Sequence, residues 1–176
     1  MLTVAIAVTV GSVAIAQYSN VRRSMAGDGA MRIVMGQLTR AQQLATQQRR
    51  NIEVQFVGGN WIKLLRHELD GTTTPIGNVA LEGSMQYALL SSVPDTPDAF
   101  GNSGALAFGG ATIIQFTSDG TLADQSGNPL NGTVFLSVGG QVSSLRAVTI
   151  MGTTGRIRAY RAAGNSAGTF VGWNRV

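Results

Sequence analysis

MLTVAIAVTVGSVAIAQYSN, residues 1–20, carries no charged side chain, and Val21, Arg22 and Arg23 follow at once. Between Met1 and Ala16 the polar side chains are Thr3, Thr9 and Ser12, and proline is absent. A helix can tie those three hydroxyls back to its own carbonyls. As a helix the sixteen residues would be about 24 Å long, against roughly 30 Å of bilayer hydrocarbon. A secretory signal peptide has an apolar run of this size. Here no positive residues precede it, and AIAQYSN would have to serve as the cleavage site. The better reading is a helix that does not stop at Ala16.

Beyond QYSN the pattern becomes amphipathic. Met31, Val34, Leu38, Ala41 and Ala45 recur at steps of 3, 4, 3 and 4, which is one helical face. Arg22, Arg23, Arg32, Gln37, Arg40, Gln43, Gln47 and Arg50 lie mostly elsewhere on it. Residues 1–25 are thus predicted to form an apolar helix and residues 26–50 an amphipathic continuation. Gly27 and Gly29, in AGDGA, each cost about 1 kcal/mol relative to alanine inside a helix. A kink or a melted turn is expected there.

At Asn51 the period changes from helical to alternating. NIEVQFV sets Ile52, Val54 and Phe56 on one face of a strand. GGN turns the chain, and WIKLLRHEL returns it. DGTTTPIGN reads as loop, VALEGSMQYALL as one or two strands broken at Gly83, and SSVPDTPDAFGNSGALAFGG as a long surface loop. ATIIQF, TVFLSV, LRAVTIMG and RIRAYRA read as strands. The ending GNSAGTFVGWNRV reads as turns, with Phe170 and Trp173 packed. Residues 51–176 are therefore predicted to be a β-rich head, an antiparallel sheet of six to eight strands. Its apolar face needs a cover, and the stripe on residues 31–48 is the one available. The class is α+β.

Composition sets limits on chemistry. Hydrophobic residues make up 44 % of the 176, enough for a real core, while charged residues are only 12 %. The net charge is +4, carried by twelve arginines and one lysine. With no cysteine, a disulfide, a thiolate metal site and a cysteine nucleophile are excluded. The single histidine, His67 in RHEL, has no nucleophile motif beside it and reads as a satisfied strand residue. Asp119, Asp124 and Asn128 could gather oxygen ligands for Ca²⁺, but their spacing is not that of an EF-hand loop, and turn chemistry is preferred. GGNW, GNSG and AFGGA lack the lysine of a phosphate loop. No cofactor, no metal and no enzymatic activity are expected.

Three stretches carry a resemblance. MLTVAIAVTVGSVAIAQYSN is similar to the N-terminal helix of type IV pilin-like proteins. LTRAQQLATQQRRNIEVQF resembles the helix end and first strand of the GspH/FimT group of minor pseudopilins. IQFTSDGTL followed by VTIMGTTGRIRAY resembles that group's C-terminal region, an F-x-x-x-G turn and a later Gly-Arg motif. The resemblance implies a pilin-like fold, a long N-terminal helix packed by its C-terminal half on an antiparallel β-sheet domain. It also implies a structural role, as a subunit of a type II secretion pseudopilus or a type IV pilus. The precursor's basic leader, its glycine cleavage site and the Phe-Thr-Leu-Ile-Glu start are not among the 176 residues. About six residues of that start would lengthen the helix by about 9 Å, enough to cross a bilayer.

Under this reading Leu2, Val4, Ile6, Val8, Val10, Val13 and Ile15 supply the apolar surface of a membrane helix that later becomes filament core. Gly11, with Ala5, Ala7 and Ala14, lets helix backbones approach. The partners implied are other pilin or pseudopilin subunits and the bacterial inner membrane, with the head in the periplasm and secreted cargo as a further candidate. DNA is the alternative partner. Arg146, Arg156, Arg158, Arg161 and Arg175 fall in the last 31 residues with no acid among them. Alternation sets Arg156, Arg158 and Tyr160 on one face, guanidiniums about 7 Å apart beside a ring. Gly155, Arg156 and Arg158 match a Gly-Arg-x-Arg motif that resembles the one used by FimT-type proteins in DNA uptake, and Arg161 lies beside them.

Overall fold

The head docks on the helix along one stripe, and that stripe explains most of the architecture. The computed structural model describes residues 20–176 apart from Thr112; for residues 2–19 it describes the backbone of the first helix but not the side chains, and Met1 lies outside it. Helix α1 runs from Leu2 to Gln48. Gly27, Ala30, Met31, Val34, Leu38, Ala41 and Ala45 are buried, the hydrophobic ones at no more than 2 % exposure. Arg32, Thr39, Arg40 and Gln43 on the opposite side are exposed.

The expected break at Gly27 and Gly29 is absent, because α1 is continuous through both. The reason is not local. A Cβ on Gly27 would lie 2.6 Å from the Ser144 carbonyl oxygen, and one on Gly29 would lie 2.9 Å from Glu82 Oε2. The glycines let the head backbone and a head carboxylate come against the helix axis. The helix ends with Arg49 in the left-handed region (φ 51°) and Arg50 N donating to Ala45 O at 3.2 Å, a glycine-type C-terminal cap built on an arginine.

The head holds eleven strands among the described residues, in two sheets rather than the one expected. The first sheet contains β1 (Ile52–Val57), β2 (Trp61–His67), β3 (Thr73–Ala80), β6 (Ile113–Phe116) and β7 (Leu122–Ala123), in the order β3-β2-β1-β6-β7. The second contains β4 (Gln86–Tyr87), β8 (Gly132–Ser137), β9 (Arg146–Met151), β10 (Arg156–Gly164) and β11 (Phe170–Arg175), in the order β11-β10-β9-β8-β4, with β5 (Leu106–Ala107) also on β8. Every named pairing is antiparallel. A short 3₁₀ turn, η1 (Val142–Ser144), precedes β9.

Two segments read as loop or turn are strands. DGTTTPIGN contributes β3, an edge strand whose register slips opposite Leu64/Leu65, so that Pro75 pairs with Leu65. An edge is where a strand tolerates proline. The C-terminal segment forms β11, the other sheet's edge, and Phe170 and Trp173 pack beneath the chain at Leu89, Leu90 and Val93.

Helix α1 lies against β1, β2 and β6 of one sheet and β8, β9 and β10 of the other, so one stripe covers both inner faces. Val34 and Leu38 share a core with Ile52, Val54, Ile62 and Leu64 on one side and Val134, Val148, Ile150 and Ala159 on the other. All six residues of β8 are buried, since the outer face of the second sheet is covered too. Its cover is the chain after β4: Leu89, Leu90 and Val93 pack on Val142, Leu145 and Ala162. The segment read as a free surface loop is thus partly buried, and Phe108 at its end belongs to the main core.

Candidate functional site

Alternation along β9 and β10 places charge on both faces of the second sheet. On the inner face Arg146 points at the helix, fully buried, and all five of its N–H donors are used. Nε donates to Asp28 Oδ1 at 2.7 Å. Nη1 donates to the carbonyls of Ser143 (3.0 Å) and Leu145 (2.9 Å). Nη2 donates to Ser24 O and Ser24 Oγ, both at 3.0 Å. Arg161, fifteen residues on and directly paired with Arg146 in register, donates to Asp28 Oδ2. Burial alone would raise the Asp28 carboxyl, yet the two guanidiniums outweigh it and hold the group below its ordinary value of 3.8. A buried arginine is tolerated only when its donors are satisfied, and here the helix supplies three of the five acceptors. Gly27 is what allows that approach.

On the outer face Asp98, from the covering loop, is nearly buried. Its Oδ2 accepts from Thr149 Oγ1 (2.6 Å) and from Tyr160 OH (2.9 Å), and its Oδ1 pairs with Arg158 Nη1. Desolvation raises this carboxyl, and the hydrogen bonds from Thr149 and Tyr160 with the Arg158 charge bring it below 3.8. The loop is tied further by Asp95, which accepts from Thr96 N and Gly101 N at 2.7 Å each, and by Trp173 Nε1 donating to Pro94 O at 3.1 Å.

The Gly-Arg motif is therefore divided among separate roles. Gly155 is buried at φ 62°. A Cβ there would overlap the Gln42 side-chain amide and the Gly120 carbonyl, which are themselves joined by a 3.0 Å hydrogen bond. Arg158 faces Asp98, and Arg161 faces Asp28 on the opposite side of the sheet. Tyr160 is buried rather than available for stacking. Arg156 alone of the three arginines is exposed without an ion pair among the described residues.

The structure places Met31, Val34, Leu38, Ala41 and Ala45 in the core beneath the sheets. The filament-core positions Leu2, Val4, Ile6, Val8, Val10, Gly11, Val13 and Ile15 lie outside the residues whose side chains are described. Among the described residues no helix is long and apolar enough to cross a membrane. His67 Nε2 meets Glu53 Oε2 at 2.9 Å, and Gln55 Nε2 donates to Glu53 Oε1 at 2.6 Å. Asp119 accepts from Thr121 N at 3.1 Å, and Asp124 from Ser126 N and Asn128 N at 2.8 and 2.9 Å. These carboxylates organise their own turns. Sequence reading missed Asp28 and Asp98, and it grouped Arg146 with the basic C-terminal residues rather than with the helix junction. The one available signal for Asp28 was its position, an acid between two glycines on an otherwise acid-free helix.

A long N-terminal helix, covered along its C-terminal half by antiparallel sheet, is the type IV pilin-like fold. No known family profile and no curated protein matches the sequence. Among solved structures the chain is similar to the type IV minor pilin FimU of Pseudomonas aeruginosa strain PAO1, in two crystal forms. One aligns at 19 % identity over 74 % of this chain and 84 % of that one, with a TM-score of 0.50. The other aligns at 17 % identity over 82 % and 96 %, with a TM-score of 0.51.

Proposed function

We propose that this chain is a non-enzymatic subunit of a type IV pilus or a type II secretion pseudopilus, of the minor, GspH/FimT-like kind. It waits in the inner membrane by its N-terminal helix with the head in the periplasm, and it is assembled through that helix. The observation that carries the reading is the continuity of α1 from Leu2 to Gln48. The same rod bears the uncharged residues 2–20 and is keyed to the head by Asp28, Arg146 and the buried stripe. A force or a packing partner acting on the apolar end is transmitted to the head without a hinge. The likeness to FimU, described as a type IV minor pilin, supports the same role.

Since the chain has no cysteine, a single Val8→Cys or Val13→Cys substitution gives a background-free test. The full chain, expressed with a functional leader, should fractionate with the inner membrane and form oxidative cross-links to a pilin subunit carrying a matching cysteine. Recovery of the mature protein in the soluble fraction without residues 1–20 would refute the proposal. The DNA reading is the second. It is favoured by exposed Arg156 on an acid-free stretch, while Arg158 and Arg161 are held by aspartates. It predicts binding that weakens steeply with salt and is lost on Arg156→Ala with Arg158→Ala. No affinity at low salt removes it.

A further inference from the structure

We infer that the end of the head where α1 enters is a docking surface for the phosphates of anionic phospholipids. This rests on the assembly reading, in that it takes residues 1–20 as membrane-seated. Two open crevices flank α1 at residues 20–26, a segment about 9 Å long directly after the uncharged stretch. One, of about 330 Å³, is lined by Asn20, Ser24, Gln141, Ser143, Arg161 and Asn165 among others. The other, of about 340 Å³, is lined by Arg22, Arg23, Ala26, Gly83, Ser84 and Val138. Neither is lined by a carboxylate. The second presents Arg22 and Arg23 beside Ser84, whereas the arginine of the first, Arg161, is held by Asp28, so the phosphate site is centred on Arg22 and Arg23.

The charge layout of the head makes this end selective for anions. Arg22 and Arg23 make no ion pair among the described residues. Of the neighbouring acids, Asp28 is taken by Arg146 and Arg161, and Glu82 stands a turn further along, at Gly29. Glu68 and Asp119 sit at the opposite end of the helix, beside Gln48 through Arg66 and beside Thr46 through Gly120. On either side of the two arginines in the chain, Val21 and Met25 are 53 % and 69 % exposed. Apolar side chains next to unpaired arginines, at the point where an uncharged helix begins, match the headgroup level of a bilayer, where acyl carbons and phosphate oxygens meet. Guanidiniums bind phosphate through paired N–H donors.

The test uses the full chain carrying Ser84→Cys labelled with an environment-sensitive fluorophore, mixed with vesicles of phosphatidylcholine alone or with phosphatidylglycerol added. Ser84 is exposed, and no other cysteine competes. Co-flotation with phosphatidylcholine vesicles reads insertion of the apolar helix. The additional binding and probe shift with phosphatidylglycerol read the crevices. About fivefold stronger partitioning per arginine is expected, so Arg22→Gln with Arg23→Gln should lower the anionic preference by about 25-fold and leave binding to phosphatidylcholine unchanged. Equal binding of the native chain to both vesicles overturns the inference, as does a preference that survives the double substitution. A probe shift that follows protein density rather than lipid charge also overturns it, because the crevices then receive another subunit. If the chain ignores phosphatidylcholine but keeps an arginine-dependent preference for phosphatidylglycerol, the helix reading fails and the docking surface stands.

Discussion

Asp28→Asn should be the most damaging conservative change at the junction of helix and head. It removes one charge and keeps the side-chain shape, leaving Arg146 with no exposure and no counter-ion. Breaking a buried pair from one side costs about 3–5 kcal/mol. Three features move the estimate to the lower end. The amide oxygen of asparagine still accepts from Nε. Four carbonyl and hydroxyl contacts to Ser24, Ser143 and Leu145 are untouched. Asp28 is itself 23 % exposed, so its own charge is partly hydrated. The half-exposed Arg161 contact adds no more than about 1 kcal/mol. A loss of about 3 kcal/mol is expected at neutral pH, equivalent to roughly 6–12 °C in Tm for a chain of this size.

Urea unfolding of the full chain in mild detergent, followed through tryptophan fluorescence, measures it. The pH dependence tests the cause. The folded Asp28 carboxyl is held below its ordinary 3.8, so its stabilisation is fully present above about pH 4 and disappears as pH falls through the lowered folded value. The gap between native chain and variant must therefore narrow on acidification. A gap under about 0.5 kcal/mol at neutral pH, below the cost expected for an uncompensated buried charge, or one that stays constant down to pH 2.5, would show that packing rather than charge holds the junction.

Other substitutions probe neighbouring claims. Gly155→Ala adds a Cβ against Gln42 and the Gly120 carbonyl at φ 62° and should cost at least about 2 kcal/mol in the same assay; a neutral result would free the glycine for a ligand role. Arg49→Gly should leave stability unchanged or raise it by up to about 1 kcal/mol, because it relieves a left-handed arginine at the helix end; a clear loss in urea midpoint would reveal a contact made by the arginine. Asp98→Ala should release the covering loop, seen as faster limited proteolysis within residues 88–105. It should also uncover Arg158, so the same variant must bind DNA more tightly at low salt if the DNA reading is right.

The parts of this fold that the sequence reveals are those whose cause is local. The 3-4-3-4 spacing from Met31 to Ala45 and the change to alternation at Asn51 need only short-range geometry, and both map directly onto α1 and β1. What stayed hidden depends on partners far along the chain. Gly27 and Gly29 read as weak points because glycine's cost is counted within a helix. Their purpose lies in the head: Gly27 admits the carbonyl of Ser144, more than a hundred residues away, and Gly29 admits the carboxylate of Glu82. Asp28 and Arg146 are separated by 118 positions, so neither shows its role alone. Edge strands such as β3 and β11 have little alternation to display, since one neighbour and a solvated face suffice to order them. The Gly-Arg stretch shows the consequence for function. Read as a string it gathers two arginines and a tyrosine into one binding face; folded, Asp98 engages Arg158 and Tyr160 on one side of the sheet, and Asp28 engages Arg161 on the other. Arginine spacing on a strand therefore becomes an argument for a polyanion partner only after the acids of the same chain have been placed. By that standard Arg22 and Arg23, in a crevice lined by no acid, are stronger candidates for an external anion than Arg158 and Arg161.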